Sequence, residues 1–409
     1  MEGNREQVGH GGKLLIAKGS FGAFGGAERD LLRNIPALAK SFKVTVATLS
    51  PVPELEQVCL QLGIDLIRPE KVWQMPEGPI SRIMDTGSSS ASKAWKSCPG
   101  LEEAINDCDA IHLVSGDGSL DLLEMIPRDS TIHLYLLEPH RGLHEDVLHR
   151  EIDGAPKRSL GLTRALLTKA RRGDLGAVKS LADRPSSAIS GNSSYTAARI
   201  SEIYGLEAGV LYPSVVTTEF PGEAGPHESP PSHLNGDYVV SVGRAGLAKG
   251  TWETISMLAD TGLALAHVGG GDEDDIYRLS QHAKNCGVKL WVAPRLDSSE
   301  MAALMRGARA VVSMAHGEPF GLTPIEAFSV GTPALFVDEG GFRDSIVDGV
   351  NGRLIARNDI SEWHTWLEKV SESEIREQWA EAGRNRITEL GLSPEDHCRK
   401  LTEIIDSIH

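Results

Sequence analysis

Short apolar runs recur along the first half of the chain at residues 13–17, 42–49, 64–68, 110–114 and 131–137, each followed by a turn-rich or helical stretch. The same beat returns at 238–242, 263–268, 289–292 and 310–313. Apolar strands alternating with helices are the pattern of doubly wound parallel sheets, so the chain is predicted to be α/β. Between the two series, residues 221–237 are rich in Pro, Gly, Ser and Glu and lack a hydrophobic period, which reads as a linker. Two domains are therefore expected, 1–220 and 238–385, with residues 1–12 a disordered polar tail. Helical patterns at 360–371, 374–389 and 394–408 close the chain. The run Gly87-Ser-Ser-Ser-Ala-Ser92 reads as a flexible excursion.

Composition leaves that picture in place and narrows the function classes. With 409 residues, 40% hydrophobic and 24% charged, the chain suits two globular domains. No apolar run approaches a membrane span and the start lacks a signal-peptide core, which points to a cytoplasmic protein. The five cysteines are scattered without CxxC spacing, so neither a disulfide framework nor a structural zinc site is indicated. A formal net charge of −16 argues against nonspecific nucleic-acid binding. Residues 155–180 run against this trend, with Lys157, Arg158, Arg164, Lys169, Arg171, Arg172 and Lys179 set against the single Asp174.

The densest chemistry lies at Gly317-Glu-Pro-Phe-Gly-Leu-Thr-Pro-Ile-Glu-Ala327, between the strand at 310–313 and a helix running to about Val330. Thr323 is expected to cap that helix and Pro324 to occupy its first turn. The amides of Gly321, Leu322 and Thr323 then point outward without intrahelical partners, an arrangement that accepts an anion such as phosphate. Glu318 and Glu326 border the same place, which suits an anionic ligand that also carries hydroxyls. Alone, two acids near a helix start fit dipole stabilisation equally well. Asp107-Cys-Asp109 and Asp272-Glu-Asp-Asp275 read as turn and helix-start acids rather than cation sites.

Glu318 and Glu326 within Glu-Pro-Phe-Gly-Leu-x-Pro-x-Glu-Ala, followed by Gly331-Thr-Pro333 and Gly340-Gly341, resemble the signature of glycosyltransferase family 4. The loop Gly25-Gly-Ala-Glu-Arg29 resembles that family's glycine loop, which approaches the donor phosphates and the acceptor, so Gly25 and Gly26 join the expected site. After a Val-Gly strand end, Arg244 and Lys249 match the pair with which the family holds the donor diphosphate. Residues 291–296, including Arg295, match the edge that seats the nucleobase, although Pro294 replaces a usual glycine. The resemblance implies the GT-B architecture: two doubly wound domains facing across a cleft, with residues 386–409 crossing back to the first. It further implies retaining transfer of a sugar from a nucleotide-diphosphate donor to an acceptor hydroxyl. Glu318 would hold the sugar, Glu326 the ribose, and Gly321, Leu322 and Thr323 the diphosphate. Because Arg244 and Lys249 take a metal's role, no metal or other cofactor is expected.

One departure is clear. Where the family has a histidine near the reacting sugar this chain has Leu137; either His140, three residues on, supplies the polar group from a shifted loop, or the site works without it. Two other readings stay open: a catalytically degenerate sugar-nucleotide- or partner-binding protein, and a GT-B epimerase or phosphorylase. The acceptor class is open among carbohydrate, lipid-linked and small-molecule hydroxyls. Residues 157–172 combine leucines with cations and fit peripheral contact with an anionic membrane, an acidic partner or simple solvation; Gly161 and Gly173 are expected to break that segment.

Overall fold

The computed structural model describes residues 11–22, 25–76, 86–216, 234 and 237–409. Most of the expected linker and nearly all of the polar tail lie outside these residues. The chain forms two compact units: one of Met1–His144, Gly161–Ser214 and Leu392–His409, the other of Glu145–Leu160 and Val215–Gly391. Residues 145–160, assigned to the first domain on sequence, thus pack with the second unit.

The first unit holds a parallel sheet of seven strands: β1 (Lys13–Ser20), β2 (Lys43–Ser50), β3 (Asp65–Ile67), β4 (Ala110–Val114), β5 (Ile132–Tyr135), β6 (Ser187–Gly191) and β7 (Gly209–Val210). Their order is β3-β2-β1-β4-β5-β6-β7. The second unit holds β8 (Tyr238–Val242), β9 (Ala264–Val268), β10 (Leu290–Val292), β11 (Ala310–Ser313), β12 (Ala334–Val337) and β13 (Arg353–Ile355), ordered β10-β9-β8-β11-β12-β13. All pairings between these strands are parallel. In each sheet the direction of winding reverses once, between β1 and β4 and between β8 and β11. At such a switch point the loops leaving the two strands diverge, and open α/β sheets bind ligands there.

Central strands are covered on both faces, which is why their sequences are nearly continuous apolar runs: all five residues of β4 and of β9 are buried. On one face of the first sheet, Leu14, Ile16, Val44 and Val46 pack with Leu31, Ile35 and Leu38 of the Gly26–Ser41 helix. Cys398, Leu401 and Ile405 join them from the Pro394–Ile408 helix, spaced to line one helical face.

Gly87 to Ser92 is not a flexible excursion; it forms the start of the Thr86–Lys96 helix. Its serine content hides an i, i+4 pair, Ala91 and Trp95, both fully buried. Trp73 Nε1 donates to Ser90 Oγ at 2.9 Å and Trp95 Nε1 to Gly118 O at 2.8 Å, anchoring the helix through its polar residues as well.

Candidate functional site

The loops leaving β8 and β11 meet at the switch point of the second sheet. Gly243, at φ 139, ends β8, and a Cβ there would lie 3.0 Å from Lys249 Cγ and Cδ. The missing side chain lets the stem of Lys249 lie against the backbone. A short 3-10 turn, Leu247–Lys249, ends at Gly250 with φ 64. A Cβ on Gly250 would stand 1.9 Å from the carbonyl oxygen of Met314, so glycine alone permits this approach to the end of β11. The His316 amide donates to Ala248 O at 2.9 Å and stitches the two loops. Lys249 Nζ then meets Glu318 Oε2 at 2.7 Å.

Glu318 is seated by the glycine pair after β12. Gly341 N donates to Glu318 O at 2.7 Å, and a Cβ on Gly340 or Gly341 would collide with the backbone of Glu318 or Pro319. Gly321, at φ 81, lies against the buried Phe342 ring, which packs edge-on to Phe336 with centroids 4.8 Å apart. The helix Thr323–Val330 starts here. Thr323 does not cap it: Leu322 holds the cap position with no side-chain cap bond, and Thr323 is already helical. The Glu326 amide bonds back to Leu322 O at 3.0 Å, so the amides of Gly321, Leu322 and Thr323 precede the first intrahelical donor. Glu326 is half-buried on that turn.

Arg244 follows Gly243 and pairs with Asp272 Oδ1 at 2.6 Å, with both side chains about 70% exposed (69% and 71%). Asp272 sits at the N-cap position of the Glu273–Asn285 helix, whose first turn carries Glu273, Asp274 and Asp275. Arg295 is exposed between β10 and the Ser298–Arg306 helix, two strands from β8, and joins none of the contacts around Lys249. Among the described residues, no group of three or more His, Cys, Asp and Glu is placed to hold a metal ion. Asp107 and Asp109 lie in the first unit just before β4, beside the start of β1, where Asp107 pairs with Lys13 Nζ at 2.6 Å and Asp109 accepts from the Lys13 amide at 2.7 Å.

Sequence reasoning missed four residues behind the Lys249–Glu318 pair. His316 Nε2 meets Glu253 Oε1 at 2.7 Å, and Arg357 is held by both oxygens of Glu339. Only Glu339 carried a signal, its place directly before Gly340-Gly341.

In the first unit, Gly25 caps the Gly26–Ser41 helix and Gly26 is its first residue. Glu28 Oε2 accepts from the Gly25 amide at 2.7 Å, while its other oxygen lies 3.2 Å from Lys18 Nζ. Lys18 also donates to Ser115 O at 2.9 Å, so a buried ion pair ties the glycine loop to the ends of β1 and β4. Glu28 is more than a helix-start acid, and removing either partner would leave an uncompensated buried charge.

Leu137 is buried, and His140 is exposed on the loop after β5. Four residues on, His144 Nε2 meets Asp174 Oδ2 at 2.8 Å, and Tyr204 donates to the same oxygen at 2.9 Å. The basic stretch is divided, Lys157 and Arg158 going to the second unit and the remainder to the first. Neither glycine breaks it: Gly161 lies in the Leu160–Leu166 helix and Gly173 in the Thr168–Ala182 helix, and the interruption falls at Leu167.

Residues 227–386 match the family model described as Glycosyl transferases group 1. The glycogen synthase of Mycobacterium tuberculosis (strain CDC 1551 / Oshkosh) is 28% identical over 199 residues, 46% of this chain and 47% of that protein. A D-inositol 3-phosphate glycosyltransferase of Frankia alni is 38% identical over 77 residues, 19% of each chain. The match thus spans at most about half the length of these relatives. Among solved structures, Anabaena Alr3699/HepE in complex with UDP and glucose superposes with TM-score 0.65 at 16% identity, covering 97% of this chain and 100% of that one. Sucrose-phosphate synthase from Thermosynechococcus elongatus gives TM-score 0.66 at 17% identity, with 96% and 98% covered. These likenesses show the fold: two parallel-sheet α/β domains of the GT-B kind.

Proposed function

We propose that this chain is a retaining glycosyltransferase that moves a sugar from a nucleotide-diphosphate donor to an acceptor hydroxyl without a metal. The observation that carries the reading is the Lys249–Glu318 pair at 2.7 Å, set at a sheet switch point beside the start of the Thr323–Val330 helix. It lies inside the segment that matches the glycosyltransferase family model. In the chain alone, ammonium and carboxylate neutralise each other. A donor resolves the pair into two functions, the diphosphate taking the ammonium and the sugar hydroxyls donating to the carboxylate.

As the bond from the sugar to the diphosphate breaks, negative charge grows on the leaving group. Lys249, Arg244 and the amides of Gly321, Leu322 and Thr323 would meet that charge, the growth of which is where electrostatic stabilisation is most effective. Arg244 exchanges an exposed carboxylate partner for the diphosphate at little cost, because an ion pair in water is weak. Glu326 serves the ribose. The solved Anabaena neighbour holds UDP and glucose, which supports a nucleotide-sugar donor here; UDP-glucose is the first to try.

For the acceptor side we favour a lipid-linked or membrane-proximal hydroxyl. The exposed face of the Thr168–Ala182 helix presents Lys169, Arg172 and Lys179, and Leu162 in the preceding turn is 56% exposed, in a protein of net charge −16. No helix among the described residues is long and apolar enough to cross a membrane, so such contact would be peripheral.

The test is incubation with a panel of sugar nucleotides, with and without excess EDTA. Slow donor hydrolysis, and transfer to an added acceptor with the anomeric configuration kept, are expected in both arms. An inverted product refutes retention, and loss of turnover with EDTA refutes metal independence. Binding without turnover by any donor would make the chain a sugar-nucleotide-binding module instead.

A further inference from the structure

Several strand-end loops of the second unit converge on one guanidinium. Arg357, two residues past β13, donates from Nη1 to Met314 O at 2.6 Å and from Nη2 to Ala315 O at 3.3 Å. Glu339 grips the same group, Nε to Oε1 at 3.0 Å and Nη2 to Oε2 at 2.8 Å. Its side chain is only 17% exposed. Glu253 Oε1 lies 3.8 Å from Nη1 and meets His316 at 2.7 Å, and the His316 amide reaches the turn that carries Lys249.

Every end of this arrangement bears on Glu318. The two carbonyls that Arg357 holds lie three and four residues before it in sequence. Glu339 directly precedes the glycine pair whose backbone seats Glu318 from the other side. The segment from Met314 to Leu322 has no helix or strand of its own, and Gly317 within it adopts φ 54, a backbone conformation that favours glycine. A lysine cannot replace the arginine, since one ammonium lacks the planar fork that meets a carboxylate with two bonds while serving two carbonyls.

We propose that Arg357, gripped by Glu339, is a positioning residue that fixes the loop bearing Glu318 against Lys249. It acts through the loop backbone and touches no donor atom. Its consequence for turnover rests on the reading of Glu318 as the group that holds the donor sugar.

The test compares Arg357→Gln with the parent by hydrogen exchange, by UDP binding and by UDP-glucose hydrolysis. Exchange in residues 314–321 should rise about tenfold, with β8 and β9 changed less than about twofold, because the loop loosens while the sheet stays. UDP, which lacks the sugar, should keep its affinity within about threefold, while kcat for UDP-glucose falls about 30-fold, since small misplacements of a positioned group are costly. In a Glu318→Ala background the same substitution should add less than about threefold, because the two changes remove one interaction. Should Arg357→Gln fail to fold, Glu339→Gln loosens the grip while leaving the arginine in place and should show the same pattern at smaller amplitude.

Unchanged exchange at 314–321, exchange rising equally across all strands of the second unit, or losses that simply add to those of Glu318→Ala would each overturn the proposal. If the loop loosens as expected but the parent neither binds UDP nor turns over any sugar nucleotide, the positioning role stands and the transfer reading falls.

Discussion

Lys249→Ala separates the functional from the structural worth of the central pair. At 2.7 Å, with side chains 34% and 18% exposed, the gross attraction is about 6 kcal/mol for an effective dielectric near 20. Desolvation and the ordering of two side chains offset most of this, and water screens the more exposed ammonium, so the net contribution to stability is about 1 kcal/mol. For a unit of this size that shifts Tm by about 2–4 °C. Turnover should respond far more. Removing one preorganised donor from a developing anion costs about 3–4 kcal/mol, a factor of roughly 10²–10³ in kcat. The assay is initial-rate kinetics on the accepted donor, beside calorimetric unfolding of the same sample. Turnover reduced less than about threefold would refute the diphosphate role. So would a loss of rate that merely tracks the unfolded fraction.

Arg244→Ala should leave stability within about 0.5 kcal/mol, because both ends of its ion pair are exposed, yet lower turnover by a factor of roughly 10²–10³; unfolding and rate measurements on one sample check both. The first unit should lose stability in acid. His112 and His133 are fully buried with Nδ1 atoms 3.0 Å apart, and burial holds His112 well below its ordinary pKa and His133 down to about 3. Each is neutral when folded and takes up a proton when unfolded, so its contribution is complete above pH 6.5 and is lost as pH falls; between pH 8 and 5 each costs about 2 kcal/mol. His397 is lowered by burial and adds to this slope, whereas burial raises the Asp30 carboxyl, whose contribution runs the opposite way. Denaturant titrations that give equal stability at pH 8 and 5 would contradict the scheme. Reversing Lys169, Arg172 and Lys179 to glutamate should abolish binding to phosphatidylglycerol vesicles at low salt, since each cation near such a surface contributes about 1 kcal/mol; no binding by the parent would remove the membrane contact. Arg171 is left intact in that variant because its guanidinium bonds to the carbonyls of Leu143 and Arg164.

The sequence by itself determined the local features. β4 and β11 were legible to the residue, because strands buried on both faces read as nearly continuous apolar runs, broken here only by His112 and by the terminal Ser313. Gly321, Gly340 and Gly341 marked the site's loops, since positive φ or backbone contact excludes a side chain there. Tertiary structure decided what composition disguised: the Thr86–Lys96 helix hid its buried Ala91 and Trp95 among serines, and β13 is three residues long and begins with an arginine. It also decided every long-range partner. Lys249 and Glu318 stand 69 residues apart in the chain, and Arg357 lies 43 residues from the carbonyl it holds on Met314. No local rule joins such residues, because their meeting depends on strand order: β8 and β11 become neighbours only when the chain reverses its winding, and that reversal brings a lysine and a glutamate together at one sheet edge.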